Sequence, residues 1–431
     1  MLLIYTPHIS NRLHYICSFI FTDVLQMVFT FTTDVDYFIA HNGTKINYSH
    51  VQIACPFSIA AHPLLFEKNI QPQHITCFKT NRGFTAFFAT KGQPYPFDIF
   101  AASFYLISRY EEYLPHDTDT YGRYAHANSV AFKNNFLQLP LVNIWINDFA
   151  KAIQGLYPLF AISSPTFSFI PTYDVDMAWS YKYKGWLRTL GGFIKKPSLN
   201  RVKVWLGLLN DPFDCYNFLN KLHKDYALAP TYFFLVAKQN GSYDKNILPS
   251  KLAMQKLIQA HANLYEVGLH PSWSSYNNQA ALLGEKNTLA QIINRPVVKS
   301  RQHYIKLSLP VSYQYLVNMG ITADYSMGYG SINGFRASIA TTYPWYNLAN
   351  DKATLLHIHP FCFMDANSYY EQKQSLSETY TELLHYYTVT KNVGGQLITI
   401  FHNSLLGNQG SFKGWADMYA RFVKDVSLVR E

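Results

Sequence analysis

The chain has 431 residues, 48% of them apolar and 15% charged, which is enough apolar material for a sizeable core and argues against wholesale disorder. Lys plus Arg outnumber Asp plus Glu by 36 to 27, a basic surplus that favours anionic partners without specifying one. The five cysteines (Cys17, Cys55, Cys77, Cys215 and Cys362) are isolated and show no C-x-x-C spacing, which fits a reducing compartment better than a disulfide framework.

Met1–Arg12 lacks a basic flank ahead of an unbroken apolar run, and His14, Asp23 and Gln26 interrupt Leu13–Phe31. The expectation is a cytoplasmic chain with neither a secretory signal nor a membrane span. Residues 1–160 read as a smaller α+β domain. Its clearest helix is Phe97–Leu114, where Phe100, Phe104, Ile107 and Leu114 recur at helical spacing and Pro115 closes the run. His116–Ala131 reads as an ordered loop. The conspicuous polar residues here are Asp98, Arg109, Glu111, Glu112 and Arg123, which a solvated helix face or an interdomain salt-bridge network accounts for as well as a site does.

From about Phe167 the pattern changes to alternation. Apolar strands are expected at Phe167–Tyr173, Thr231–Ala237, Tyr265–His270, Val297–Tyr304, Ile321–Tyr325, Leu355–His359 and Leu397–His402. Helices are expected at Asp214–Tyr226, Ser250–Leu264, Ala280–Ile293, Pro310–Met319, Leu376–Thr390 and Trp415–Val426. Strands separated by helices on this scale argue for parallel β/α architecture. Seven strands fit a closed or nearly closed barrel, with a doubly wound open sheet as the alternative.

In such folds the loops leaving the C-terminal strand ends build the site. Asp174, Asp176, His270, Arg301, His303, Asp324, His357, His359 and His402 fall at or near those ends, with Arg336 in the segment after Asp324. Buried carboxylates and imidazoles are costly unless paired or ligating. Asp174 and Asp176 stand two apart on one strand and so point the same way, a repulsion that a divalent cation offsets most simply. Zinc accepts mixed His and carboxylate ligands, and a bound ion brings the pKa of water toward neutrality. One Asp would then ligate while its neighbour takes a proton from water, with a His opposite to protonate a leaving amine.

These residues carry a resemblance. Phe169-Ile170-Pro171-Thr172-Tyr173-Asp174-Val175-Asp176 resembles the first motif of the polysaccharide deacetylase family, the NodB-like carbohydrate esterases. Gly268-Leu269-His270-Pro271-Ser272 resembles the second, and Leu397-Ile398-Thr399-Ile400-Phe401-His402 the last. Segments Arg301–Tyr304, Asp324–Tyr329 and Gly334–Ser338 are similar to a divergent bacterial branch, as are Phe97–Phe100, Tyr113–Pro115 and Tyr121–Arg123 in its uncharacterised N-terminal domain.

The resemblance implies a distorted (β/α)7 barrel over residues 165–431 and a metal-dependent hydrolase that removes an N-acyl group, N-acetyl above all, from an amino sugar or glycan. It makes Asp174 the base, Asp176 and His270 ligands of a divalent metal, zinc by preference, and His402 the general acid, here followed by Asn403. The family's second metal histidine, expected four residues after His270, is Ser274; His303 would supply the missing nitrogen. Arg301 or Arg336 would orient the base.

Trp179, Trp273, Tyr304, Tyr329 and Trp345 lie near the motifs and would suit pyranose stacking. A catalytically silent carbohydrate-binding protein on the same barrel is the alternative, and a glycoside hydrolase using Asp174 and Asp324 ranks behind it. No Arg/Lys stripe supports nucleic-acid binding, and the oligomeric state is left open.

Overall fold

The computed structural model describes residues 1–158, 165–184 and 199–427. The expected boundary between the two regions falls on residues 159–164, outside the described residues. Four short strands near the N-terminus, β1 (Leu2–Tyr5), β2 (Phe29–Thr32), β3 (Lys45–Tyr48) and β4 (Ser58–Ile59), pair in parallel in the order β2-β1-β3-β4. A small antiparallel pair, β5 (Phe78–Lys79) and β6 (Thr85–Ala86), follows.

The main sheet holds β7 (Ser168–Val175), β8 (Thr231–Leu235), β9 (Glu266–His270), β10 (Lys299–Ser300), β11 (Ala323–Asp324), β12 (Tyr343–Asn347), β13 (Lys352–Ile358), β14 (Phe363–Met364) and β15 (Gln396–His402). Their order is β12-β13-β11-β10-β9-β8-β7-β15-β14, parallel throughout except for β12 against β13. All seven expected strands are present. The two additions escape the alternation pattern because β12 is an antiparallel return to β13 and β14 has only two residues. Among the described residues no pairing joins β12 to β14, so the sheet is a large, mostly parallel α/β sheet with two ends.

The six expected helices form within two residues of their anticipated ends, from Tyr216–Asp225 through Trp415–Ser427. The last helix buries Trp415, Met418, Phe422 and Val426, and Phe422 meets Phe169 of β7 edge to face. No helix among the described residues is long and apolar enough to cross a membrane.

The helix expected at Phe97–Leu114 is interrupted. It runs from Ile99 to Ile107, capped by the Asp98 carboxylate on Ala101 N–H, and resumes as a single tight turn at Tyr110–Tyr113. Arg109 between them is left-handed (φ 54°). That conformation is uncommon for a residue with a Cβ and persists where surrounding contacts hold it. Here Arg109 Nε donates to Glu112 (2.7 Å), Nη2 to Glu111 (2.9 Å) and Nη1 to the carbonyl of Arg336. Arg336 in turn donates from Nη2 and Nε to both oxygens of Glu112, at 2.6 and 2.8 Å. Arg109, Glu111 and Glu112 therefore form a buried network that reaches Arg336 of the main sheet region. One apolar core is continuous across both, from Leu2 and Tyr48 to Leu397 and Phe401.

Candidate functional site

The C-terminal ends of β7, β9, β10 and β15 meet around a cavity of about 380 Å³, with Asp174, Asp176, His270, His303 and His402 in its wall. Parallel register aligns them: His402 is opposite Asp174 across the β15–β7 pair, and Leu235 is opposite His270 across β8–β9. Side chains leaving neighbouring strand ends on one side of a parallel sheet converge without any long-range loop.

Asp176 sits at the centre and is a third exposed to the cavity. Three imidazoles surround it, each pinned at Nδ1. His270 Nδ1 lies 2.5 Å from the carbonyl of Arg301, an oxygen that only accepts, so Nδ1 carries a proton and Nε2 turns inward. His303 Nδ1 faces the Asp244 carboxylate (3.1 Å), and His402 Nδ1 faces that of Asp365 (2.6 Å). Their Nε2 atoms stand 3.0 Å (His270), 3.5 Å (His303) and 3.6 Å (His402) from Asp176 oxygens.

One atom each from Asp176, His270 and His303 lies within 4.8 Å of the others. Asp176 Oδ1 is buried yet accepts no hydrogen bond, although His270 Nε2 is its close neighbour. Asp176, His270 and His303 would hold an ion through one carboxylate oxygen and two imidazole nitrogens, a donor set that zinc accepts. The donor types, the orphaned oxygen and the Nδ1 partners that aim each ring all fit a divalent ion.

The carboxylates and imidazoles of the site stabilise one another's charged forms. Burial opposes ionisation of Asp176, but His303, His270 and His402 outweigh it and hold its carboxyl well below the usual carboxylate range. Burial likewise opposes charging His303 and His402; Asp176 and Asp244 carry the first up to about 9, and Asp365 with Asp176 and Asp174 carries the second to about 10.

Of the two arginines weighed for orienting Asp174, Arg301 touches it, with Nη1 2.9 Å from Oδ1. Its Nε donates to the carbonyl of Tyr325 and its plane lies 4.4 Å over the Phe233 ring, which fixes the guanidinium. Arg336 is taken up by Glu112 and the carbonyl of Gly328 instead. Ser274, where the second histidine was expected, donates its N–H to Asp244, the carboxylate that holds His303.

Other expected residues stand apart. Asp324 is fully buried, its carboxylate engaged by Ser300 and Ser326 outside the cavity wall, so no Asp174–Asp324 pair faces a substrate. His359 is buried against Tyr325, 4.3 Å between ring centres. Trp345 packs on Tyr313 in the core and Tyr329 lies beside Arg109, whereas Tyr304 lines the cavity and Trp273 packs against it at 5.5 Å.

Asp244 and Asp365 were not anticipated. Asp365 follows the two-residue strand β14, too short to register as a strand end, and Asp244 lies in the loop after β8. Tyr121 and Arg123, far upstream in sequence, also line the cavity. Arg123 Nη1 donates to the carbonyl of Tyr304 (2.7 Å), an approach that requires Gly330, because a Cβ there collides with the guanidinium.

Fold and site together define a mixed α/β protein with a two-histidine, one-carboxylate candidate metal centre at its strand ends. Residues 2–158 match a family of unknown function (DUF7033). No curated protein matches the chain. Among solved structures it is similar to a protein assigned as a polysaccharide deacetylase from Mycobacterium smegmatis, at 14% identity over 62% of this chain and 86% of that one (TM-score 0.42). It is also similar to PuuE allantoinase, at 12% identity over 62% and 85% (TM-score 0.39). A third is a CE4 family pseudoenzyme from Bacillus anthracis, at 11% identity over 61% and 62% (TM-score 0.28).

Proposed function

We propose that the chain is a divalent-metal-dependent hydrolase, zinc being the preferred ion, that removes an N-acetyl or similar acyl group from the nitrogen of an amino sugar or glycan. In this reading residues 165–431 are a distorted barrel of the deacetylase type and residues 1–160 a smaller α+β domain that contributes Tyr121 and Arg123 to the cleft. The observation that carries it is the convergence of one donor atom each from Asp176, His270 and His303 to within 4.8 Å of one another at the cavity wall.

Asp176, His270 and His303 would hold the ion, which when bound acidifies a water and draws electron density from an acyl carbonyl. Asp174 is the base: Arg301 occupies Oδ1 and leaves Oδ2 to accept a proton from water. His402 carries its proton on the cavity side and is the acid that delivers it to the departing nitrogen, while Asp365 keeps the ring charged and oriented. Met364 and Leu405 give the cavity apolar walls.

Purified protein is expected to take up one divalent ion per chain and to release acetate from chitooligosaccharides, with chelation abolishing release and zinc restoring it. Sugar affinity with neither metal nor acetate release would instead make the protein a silent carbohydrate binder. Asp365→Asn provides a pH test. Because Asp365 raises the His402 pKa, its loss moves the alkaline limb of kcat/KM down toward neutrality, whereas an unmoved limb removes His402 from the role of acid.

A further inference from the structure

The basic character of this chain is local. Residues 177–210 hold seven of the 36 Lys and Arg and none of the 27 Asp and Glu, so the rest of the chain carries 29 cations against 27 acids. The run begins one residue after the cavity carboxylate Asp176 and ends at Asp211. The Asp211 carboxylate ties its first turn by accepting N–H bonds from Ser180, Tyr181 and Lys182 at 2.7–2.9 Å.

Within the described part, the short helix Leu199–Trp205 buries only Val204. Leu199 is 79% exposed, Leu206 and Leu208 68%, and Trp205 and Leu209 41%. Lys203 is exposed on the same helix, and the stretch from Trp205 to Asn210 is exposed throughout. Single exposed apolar residues are ordinary; five within eleven positions, among cations and with no acid, form an interaction surface.

Three partners differ in what they do for these side chains. A phosphate backbone pairs with the cations but leaves Leu206, Leu208 and Leu209 in water. A second copy covers the leucines but sets like charges against each other. A bilayer with anionic lipids satisfies both, taking Trp and Leu into the acyl boundary while Lys and Arg reach the headgroup phosphates.

We infer that the face made by Leu199, Trp205, Leu206, Leu208 and Leu209 with Lys203 docks the protein on an anionic lipid bilayer. This stands independently of the hydrolase reading.

Flotation of the full chain with phosphatidylcholine vesicles and with phosphatidylcholine–phosphatidylglycerol vesicles tests it. Recovery is expected on the anionic vesicles, at least tenfold weaker on the neutral ones, and reduced by salt. The double substitution Leu206→Ser with Leu208→Ser lowers vesicle affinity about tenfold or more at an unchanged Tm, and Lys203→Gln lowers it about fivefold. Three results overturn the inference: no flotation, equal recovery of wild type and variants, or a lipid-free dimer abolished by the serine substitutions. Duplex DNA binding without vesicle binding overturns it as well.

Discussion

Asp174→Asn is expected to lower turnover on an N-acetylated amino sugar by roughly 10²–10⁴-fold, with metal content unchanged. The two neighbouring carboxylates have separate surroundings, and this separates their roles. Asp174 is 2% exposed and bound by Arg301, and its nearest imidazole nitrogen, on His270, is 3.8 Å away. Asp176 has three imidazole nitrogens within 3.6 Å and opens to the cavity. Asparagine at 174 still accepts a hydrogen bond from Arg301 through its amide oxygen but cannot take up a proton at neutral pH. Asp176→Asn should instead release the ion itself, so metal content falls together with turnover. If Asp174→Asn loses metal, or Asp176→Asn retains it with full activity, the two roles have been exchanged or misassigned. Measuring metal stoichiometry beside kcat separates these outcomes.

The parts of this site that were legible in the sequence are those delivered by regular strands. Asp174, Asp176, His270 and His402 end or follow strands of five to eight residues, whose apolar pattern announces where each strand stops. His303 was legible through Arg301 and Tyr304, although its strand shrinks to Lys299–Ser300 and the imidazole rides on a tight turn after it. The partners that orient these groups were not legible. Asp244 and Asp365 come from a loop and from the end of a two-residue strand, and nothing in local periodicity marks either. The choice between Arg301 and Arg336 was equally beyond a linear reading, because it depends on Glu112, 224 residues away from Arg336 in sequence, claiming one of them. Sheet closure has the same character: seven strands were countable, but the antiparallel return of β12 and the short β14 at the other end were not.

The Glu112 network yields the largest expected effect on stability. Glu112→Gln should destabilise the fold by about 3–5 kcal/mol at neutral pH, measured by denaturant unfolding, because it leaves buried Arg336 without its carboxylate and buried Arg109 with Glu111 alone. Arg109 and Arg336 are each at most 2% exposed, so water does not replace the lost charge. Burial opposes ionisation of Glu112, yet Arg336 and Arg109 outweigh it and hold its carboxyl at about 2. A folded-state pKa below the unfolded one makes this a contribution that is complete above the unfolded carboxylate range and is lost as pH falls through about 2. The gap between wild type and Glu112→Gln should therefore be widest near neutrality and close progressively below about pH 4.5. Pairing Glu112→Gln with Arg336→Met should recover part of the loss, since the second change removes the uncompensated cation, and the double-mutant cycle reads that coupling directly. Additive losses, or a Glu112→Gln protein within about 1 kcal/mol of wild type, would show that the N-terminal segment and the main sheet are held together by their shared apolar core, with this ion network contributing little.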